Sequence, residues 1–178
     1  VETGHKENLA VVAHCRSNVA IRMAVDAGID TIMHGWFTGS DGARGFDEEL
    51  AHYIASHGVR INPTVHITGS RIPSLQLLRD NGEATADDEE RLERMLYNHA
   101  ATVADIPKIL SAGVNLMAGS DCGWGTYPFG MFYLELEAMV NAGLSPDLAI
   151  VSATTGNARM LNIVDEVGSV SPGKQADL

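Results

Sequence analysis

Two histidines and an aspartate stand at the ends of apolar runs in this chain, and together they have the chemistry of a metal site. LAVVAH, residues 9–14, closes on His14; DTIMH, residues 30–34, closes on His34; NLMAGSD, residues 115–121, closes on Asp121. Neutral imidazole and carboxylate suit Zn²⁺ and similar divalent ions. Taken singly, each residue has a plainer role. A lone histidine at a strand end is commonly a hydrogen-bonded structural residue, and an aspartate before glycine is commonly a turn residue. The recurrence of ligand-type residues at one position of a repeated unit turns the reading toward chemistry.

That unit is an amphipathic helix ending in glycine, after which Val or Ile opens an apolar run. It occurs at Ala27-Gly28-Ile29, His57-Gly58-Val59 and Ala112-Gly113-Val114. Glycine suits the left-handed position just past a helix, and a β-branched residue suits a strand start. The pattern predicts strands over 9–14, 30–34, 59–65 and 115–118. Ser17 and Asp47 are expected to cap helices. A long helical region spans 85–111 and opens on ADDEE, which suits the positive end of a helix. Pro107 is expected to break it, with Asp105 starting a second short helix. A helix over 128–142 follows, and Ser145-Pro146 is expected to start one more, ending near Leu161. Strands alternating with helices imply parallel βαβ units, and strands apolar throughout imply cover on both faces. Residues 168–178, GSVSPGKQADL, read as the start of a small β region.

In such folds the site lies at the C-terminal ends of the strands. His14, His34 and Asp121 all fall there. The third predicted strand ends in Pro63-Thr64, with His66 just beyond as a candidate substrate contact. Trp124, Tyr127 and Phe129 follow Asp121; they either shape a substrate pocket or pack their loop down. The guanidinium fork of Arg71 matches a substrate carboxylate. His5, His52, His57 and His99 read as surface or packing residues.

Composition narrows the partners. With 178 residues, 45% of them hydrophobic, the chain can bury a single-domain core. A net charge of −11, without a basic stripe interleaved with aromatics, argues against nucleic acid and against an anionic membrane surface. No apolar run is long enough to span a bilayer. Cys15 and Cys122 make no disulfide framework and read as small buried thiols. Two rivals stand beside the metal reading. Gly119-Ser120 and Gly123-x-Gly125 resemble a phosphate cradle in a barrel enzyme that handles phosphate esters, which leaves His14 and His34 without a role. A non-catalytic half-barrel would expose edge strands and an apolar face, and would dimerise or recruit a partner.

The segments VVAHC, AGIDTIMHG, LMAGSD, PFGMFYLELEAMVNAGLSPDLAIVSATTGNARML and GSVSPGKQADL resemble the C-terminal half of the amidohydrolase superfamily. The nearest flavour is the imidazolonepropionase-related and prolidase-like branch. The resemblance implies an α/β fold: strands 5 to 8 of a (β/α)₈ TIM barrel over residues 1–164, running into the start of a small β-sandwich over 165–178. It makes His14, His34 and Asp121 the metal ligands, for one or two divalent ions with Zn²⁺ expected. It gives Asp121 the role of general base and then general acid in hydrolysis of a C–N bond, in an amide, dipeptide or cyclic amide. The expected substrate contacts are His66, Arg71, Trp124 and Tyr127. The family's first-strand His-x-His and fourth-strand Lys or Glu are not in this chain, and a whole barrel takes roughly 250 residues. A fragment is therefore expected, inactive alone, whose partner is the missing N-terminal half of the barrel; a homo-oligomer is open to it. The compartment is left open, with the cytoplasm slightly favoured.

Overall fold

The computed structural model describes residues 1–123 and 127–176. In chain order these form α1 (Glu2–Lys6), β1 (Val12–Cys15), α2 (Asn18–Asp26), β2 (Thr31–His34), α3 (Glu48–Ser56), β3 (Arg60–Asn62), α4 (Val65–Gly69), α5 (Ile72–Asp80), α6 (Ala86–Ser111), α7 (Tyr133–Asn141), α8 (Pro146–Ala153) and α9 (Thr155–Met160). The strands form one parallel sheet in the order β1-β2-β3. Val12 pairs with Thr31 and Cys15 with His34; Ile32 pairs with Ile61. The run at 115–118 lies beside β3, but as a single parallel bridge between Ile61 and Leu116. The Ile61 N–H donates to the Asn115 carbonyl at 3.1 Å and the Met117 N–H to the Ile61 carbonyl at 2.8 Å. Beyond that point the Ala118 N–H turns to the Ser152 carbonyl at 3.3 Å, which ends the ladder.

The core lies on one face of the sheet. Ile32 and Ile61 pack there with Ile21 and Val25 of α2, Leu50 and Ile54 of α3, Ile106 and Ile109 of α6, and Met139 of α7. Each such side chain, fully buried, contributes about 1.5–3 kcal/mol. Strand alternation sends Cys15 into this core and leaves Val12 and His14 exposed on the other face. Cover on both faces is thus not met at β1.

The helix caps form where the sequence places them. Ser17 accepts the Ala20 N–H, Asp47 the Leu50 N–H, and Ser145 the Leu148 N–H. Four expectations are corrected. The third strand stops at Asn62, because Pro63 has no N–H to donate and Thr64 is left-handed (φ 48), so that Val65 opens α4. The long helix runs unbroken through Pro107. Buried Ile106 and Ile109 and the ion-paired Asp105 hold both sides of the proline in the helix, outweighing one lost hydrogen bond. The helix expected from residue 128 begins at Tyr133. The helix expected to reach Leu161 is two, α8 and α9, separated at Thr154 (φ −122, ψ −97). Helices α1, α4 and α5 lie outside the helices expected from the sequence pattern. Residues 162–176 form turns, in which Lys174 Nζ donates to the Val164 and Val167 carbonyls. Among the described residues no helix is long and apolar enough to cross a membrane.

Candidate active site

His14 and His34 meet at the C-terminal end of the sheet, their ring centroids 4.4 Å apart and edge to face. Strand pairing alone does not bring them together. Cys15, not His14, is the register partner of His34, and Cys15 points into the core. His34 escapes that face because its backbone turns left-handed (φ 69), followed by Gly35 at φ 59. A Cβ at Gly35 would press on Ile61 Cγ2 at 2.8 Å, so the turn needs glycine both for its dihedral and for space.

Asp121 ends the fourth apolar run, also left-handed (φ 51) and exposed. The run approaches β3 closely: a Cβ at Gly119 would collide with the side-chain amide of Asn62. His14, His34 and Asp121 line one cavity of about 630 Å³. Burial holds the His34 imidazole below its ordinary range, aided by charge on His14 and opposed by Asp121. His34 is therefore a neutral ring at pH 7. Its Nδ1 is bonded to Thr64 Oγ1 at 2.8 Å. These donors are of a type that suits a divalent ion, and Nε2 of His34 is left to bind one. Among the described residues, however, no three His, Cys, Asp or Glu side chains are close enough to hold an ion.

Four arginines line the same cavity: Arg16, Arg71, Arg91 and Arg94. The chain has only 12 Lys and Arg residues and a net charge of −11, so this is a local reversal of sign. Arg94 reaches Glu90 at 3.4 Å, and Arg16 lies 4.1 Å over the ring of Trp36, which forms a wall of the cavity. Of these, sequence reading found Arg71 alone. Arg91 and Arg94 sit in a run rich in acids that marks neither of them. Nothing in the pattern marks Arg16 or Trp36.

His66 and Tyr127 lie elsewhere. Their rings pack against each other at 4.5 Å, and His66 borders a separate cavity of about 410 Å³ with His99 and Glu137. Tyr127 is 1% exposed, and its hydroxyl donates to the Met131 carbonyl at 3.1 Å; burial pushes the phenol up to about 12. Phe129 of the same loop is exposed. Trp124, and Gly125 of the glycine motif, lie outside the described residues. Cys15 is a buried thiol, and burial raises its pKa.

Glu135 is the residue the sequence hid best. It is fully buried in α7, where its Oε1 accepts the Val65 N–H at 2.8 Å and its Oε2 the His66 N–H at 2.7 Å. It stands in LELE, four residues before buried Met139, on the inward stripe of α7. Burial pushes its carboxyl up to about 8, against the pull of the two N–H groups. The native state therefore holds a proton that the unfolded chain releases near pH 4.5. The stabilisation is complete below that pH and is lost as pH rises toward 8. Urea unfolding of wild type should accordingly lose up to about 1.4 kcal/mol per pH unit across this window relative to Glu135→Gln. Parallel profiles would show that Glu135 is ionised throughout.

The whole chain, residues 1–178, matches the family model described as Amidohydrolase family. An imidazolonepropionase of Nocardia farcinica is 30% identical over 156 residues, which are 74% of this chain and 39% of that protein. A putative prolidase from Bifidobacterium longum superposes with a TM-score of 0.75 at 29% identity, over 99% of this chain and 42% of that one. A Xaa-Pro dipeptidase with methionine bound in its active site superposes with a TM-score of 0.77 at 24% identity, over 98% of this chain and 39% of that one. The chain thus spans about two fifths of the length of the proteins it matches.

Proposed function

Because the chain belongs to the amidohydrolase family, in its imidazolonepropionase- and prolidase-like branch, we propose that it supplies one side of the active site of a metal-dependent hydrolase. The reaction is cleavage of a C–N bond in a carboxylate-bearing amide, dipeptide or cyclic amide. The observation that carries this reading is the meeting of His14 and His34 at 4.4 Å on the cavity that Asp121 also lines.

The family is generally metal-dependent. In the complete barrel His14 and His34 would contribute to one divalent-ion site and Asp121 to a second or to the same one, Zn²⁺ best matching two imidazoles and a carboxylate. Such an ion, when bound, acidifies a water and polarises a carbonyl. The remaining ligands come from the N-terminal half of the barrel, for which residues 1–164 are strands 5 to 8 and their helices. Asp121 takes the proton of the attacking water and passes it to the leaving amine. The arginines of the cavity would hold the substrate's carboxylate, Arg71 through its guanidinium fork.

The test is amine release by the protein carrying both halves of the barrel. Dipeptides and N-acyl amino acids are compared with the same amides lacking the carboxylate. Turnover of the acids, lost with a chelator and restored by Zn²⁺, is expected. Chelator-resistant turnover, or none on any amide, would overturn the proposal. Arg71→Ala should raise KM for the acids about tenfold or more with kcat little changed, as the loss of one charged hydrogen bond of about 1.5–3 kcal/mol requires. An unchanged KM would remove Arg71 from the substrate's binding site.

A further inference from the structure

The hydrogen bonds around His34 bear on which of its ring nitrogens is free. Thr64 Oγ1 lies 2.8 Å from the Pro63 carbonyl and 2.8 Å from His34 Nδ1. A hydroxyl has one proton, and a carbonyl can only accept. With the Thr64 proton directed to Pro63, the contact with His34 is made by an Nδ1–H donating to Oγ1. The neutral ring then has its lone pair on Nε2, and His34 lines the cavity. Thr64 is 0% exposed, so no water competes for this bond.

The position of Thr64 has its own cause. It is a β-branched residue at φ 48, a conformation such residues avoid. The two peptide N–H groups that follow it, of Val65 and His66, are both taken by the side-chain oxygens of Glu135. Glu135 thereby anchors the turn that aims the Thr64 hydroxyl.

We propose that Thr64 and Glu135 are positioning residues that lock His34 in its Nδ1–H tautomer, presenting the Nε2 lone pair to the cavity. Partners on the far nitrogen commonly set tautomer and ring orientation in histidines that bind metals. Here the lock spans three elements: the end of β2, the β3–α4 turn and α7. It is built before any ion arrives and does not depend on the reaction proposed above.

The test reads nitrogen, not turnover. In metal-free protein labelled with ¹⁵N-histidine, long-range ¹H–¹⁵N spectra at neutral pH should show His34 with a protonated Nδ1 and a bare Nε2. Thr64→Val, or Thr64→Ala if the valine does not fold, should lose this pattern, and Thr64→Ser should restore it. Glu135→Gln, which puts an N–H₂ against one of the two backbone donors, should give a mixture of tautomers with Thr64 still present. A wild-type His34 protonated on Nε2, or a pattern that survives loss of the hydroxyl, would overturn the lock. A folded Glu135→Gln protein with unchanged His34 signals, or one that does not fold at all, would overturn the part given to Glu135. Failure of the proposed hydrolysis would leave these spectra unchanged, so the two can be told apart.

Discussion

Asp121→Asn is expected to abolish turnover in the complete enzyme while leaving the fold intact. The two halves of that result have separate causes. Asp121 is exposed and its backbone is left-handed (φ 51), a conformation asparagine adopts at least as readily as aspartate. Unfolding free energy should therefore stay within about 0.5 kcal/mol of wild type. The amide cannot accept a proton from water at neutral pH, and it is a poorer ligand than a carboxylate. Loss of general acid–base help alone lowers kcat about 10²–10⁴-fold. Measured kcat together with a urea melt decides it: retained turnover would rule out Asp121 as the base, and a collapsed melt would make it a structural turn residue.

Asp105→Ala should destabilise the protein by about 3–5 kcal/mol, the usual result of stranding one partner of a buried ion pair. Arg44 and Asp105 meet at 3.2 Å with side chains 5% and 8% exposed. Burial lowers the Arg44 pKa, and Asp105 works against that shift. Arg44 also donates to Thr102 Oγ1 at 3.3 Å and lies 5.1 Å from the ring centroid of Trp36. Lys108, 3.4 Å from Asp105 and half exposed, is a second cation and cannot supply the negative charge that Arg44 loses. Replacing both residues, as Arg44→Met with Asp105→Leu, should recover most of the loss, because no buried charge is left alone. Equal losses in the single and double variants would show that the pair acts through packing. Because Arg44 packs against Trp36, Asp105→Ala should also raise KM by loosening that wall of the cavity.

Much of the site was legible because ligand chemistry and strand ends are both local features. His14, His34 and Asp121 each close an apolar run, and that position alone sends them toward one end of a parallel sheet. The caps at Ser17, Asp47 and Ser145 were legible for the same reason: a side-chain oxygen and an amide three residues on need nothing distant. Glu135 and Arg44 were not. A charged residue reads as solvated unless its partner is known, and the partners here are the Val65 and His66 amides for Glu135, in α7, and the Asp105 carboxylate for Arg44, in the loop before α3. Pro107 misled in the same way, since the burial that keeps it helical comes from other elements.

By itself, then, the sequence determined the alternation of strand and helix, the helix starts, and which residue types arrive at the strand ends. Those follow from periodicity and from contacts within one turn. Only the tertiary structure decided that His34 leaves the core face to meet His14, that four arginines reverse the local charge, and that Glu135 holds the turn beneath Thr64. Each of these depends on groups tens of residues apart being placed within a few ångströms by the packing of the core, and no local pattern of residues encodes such a distance.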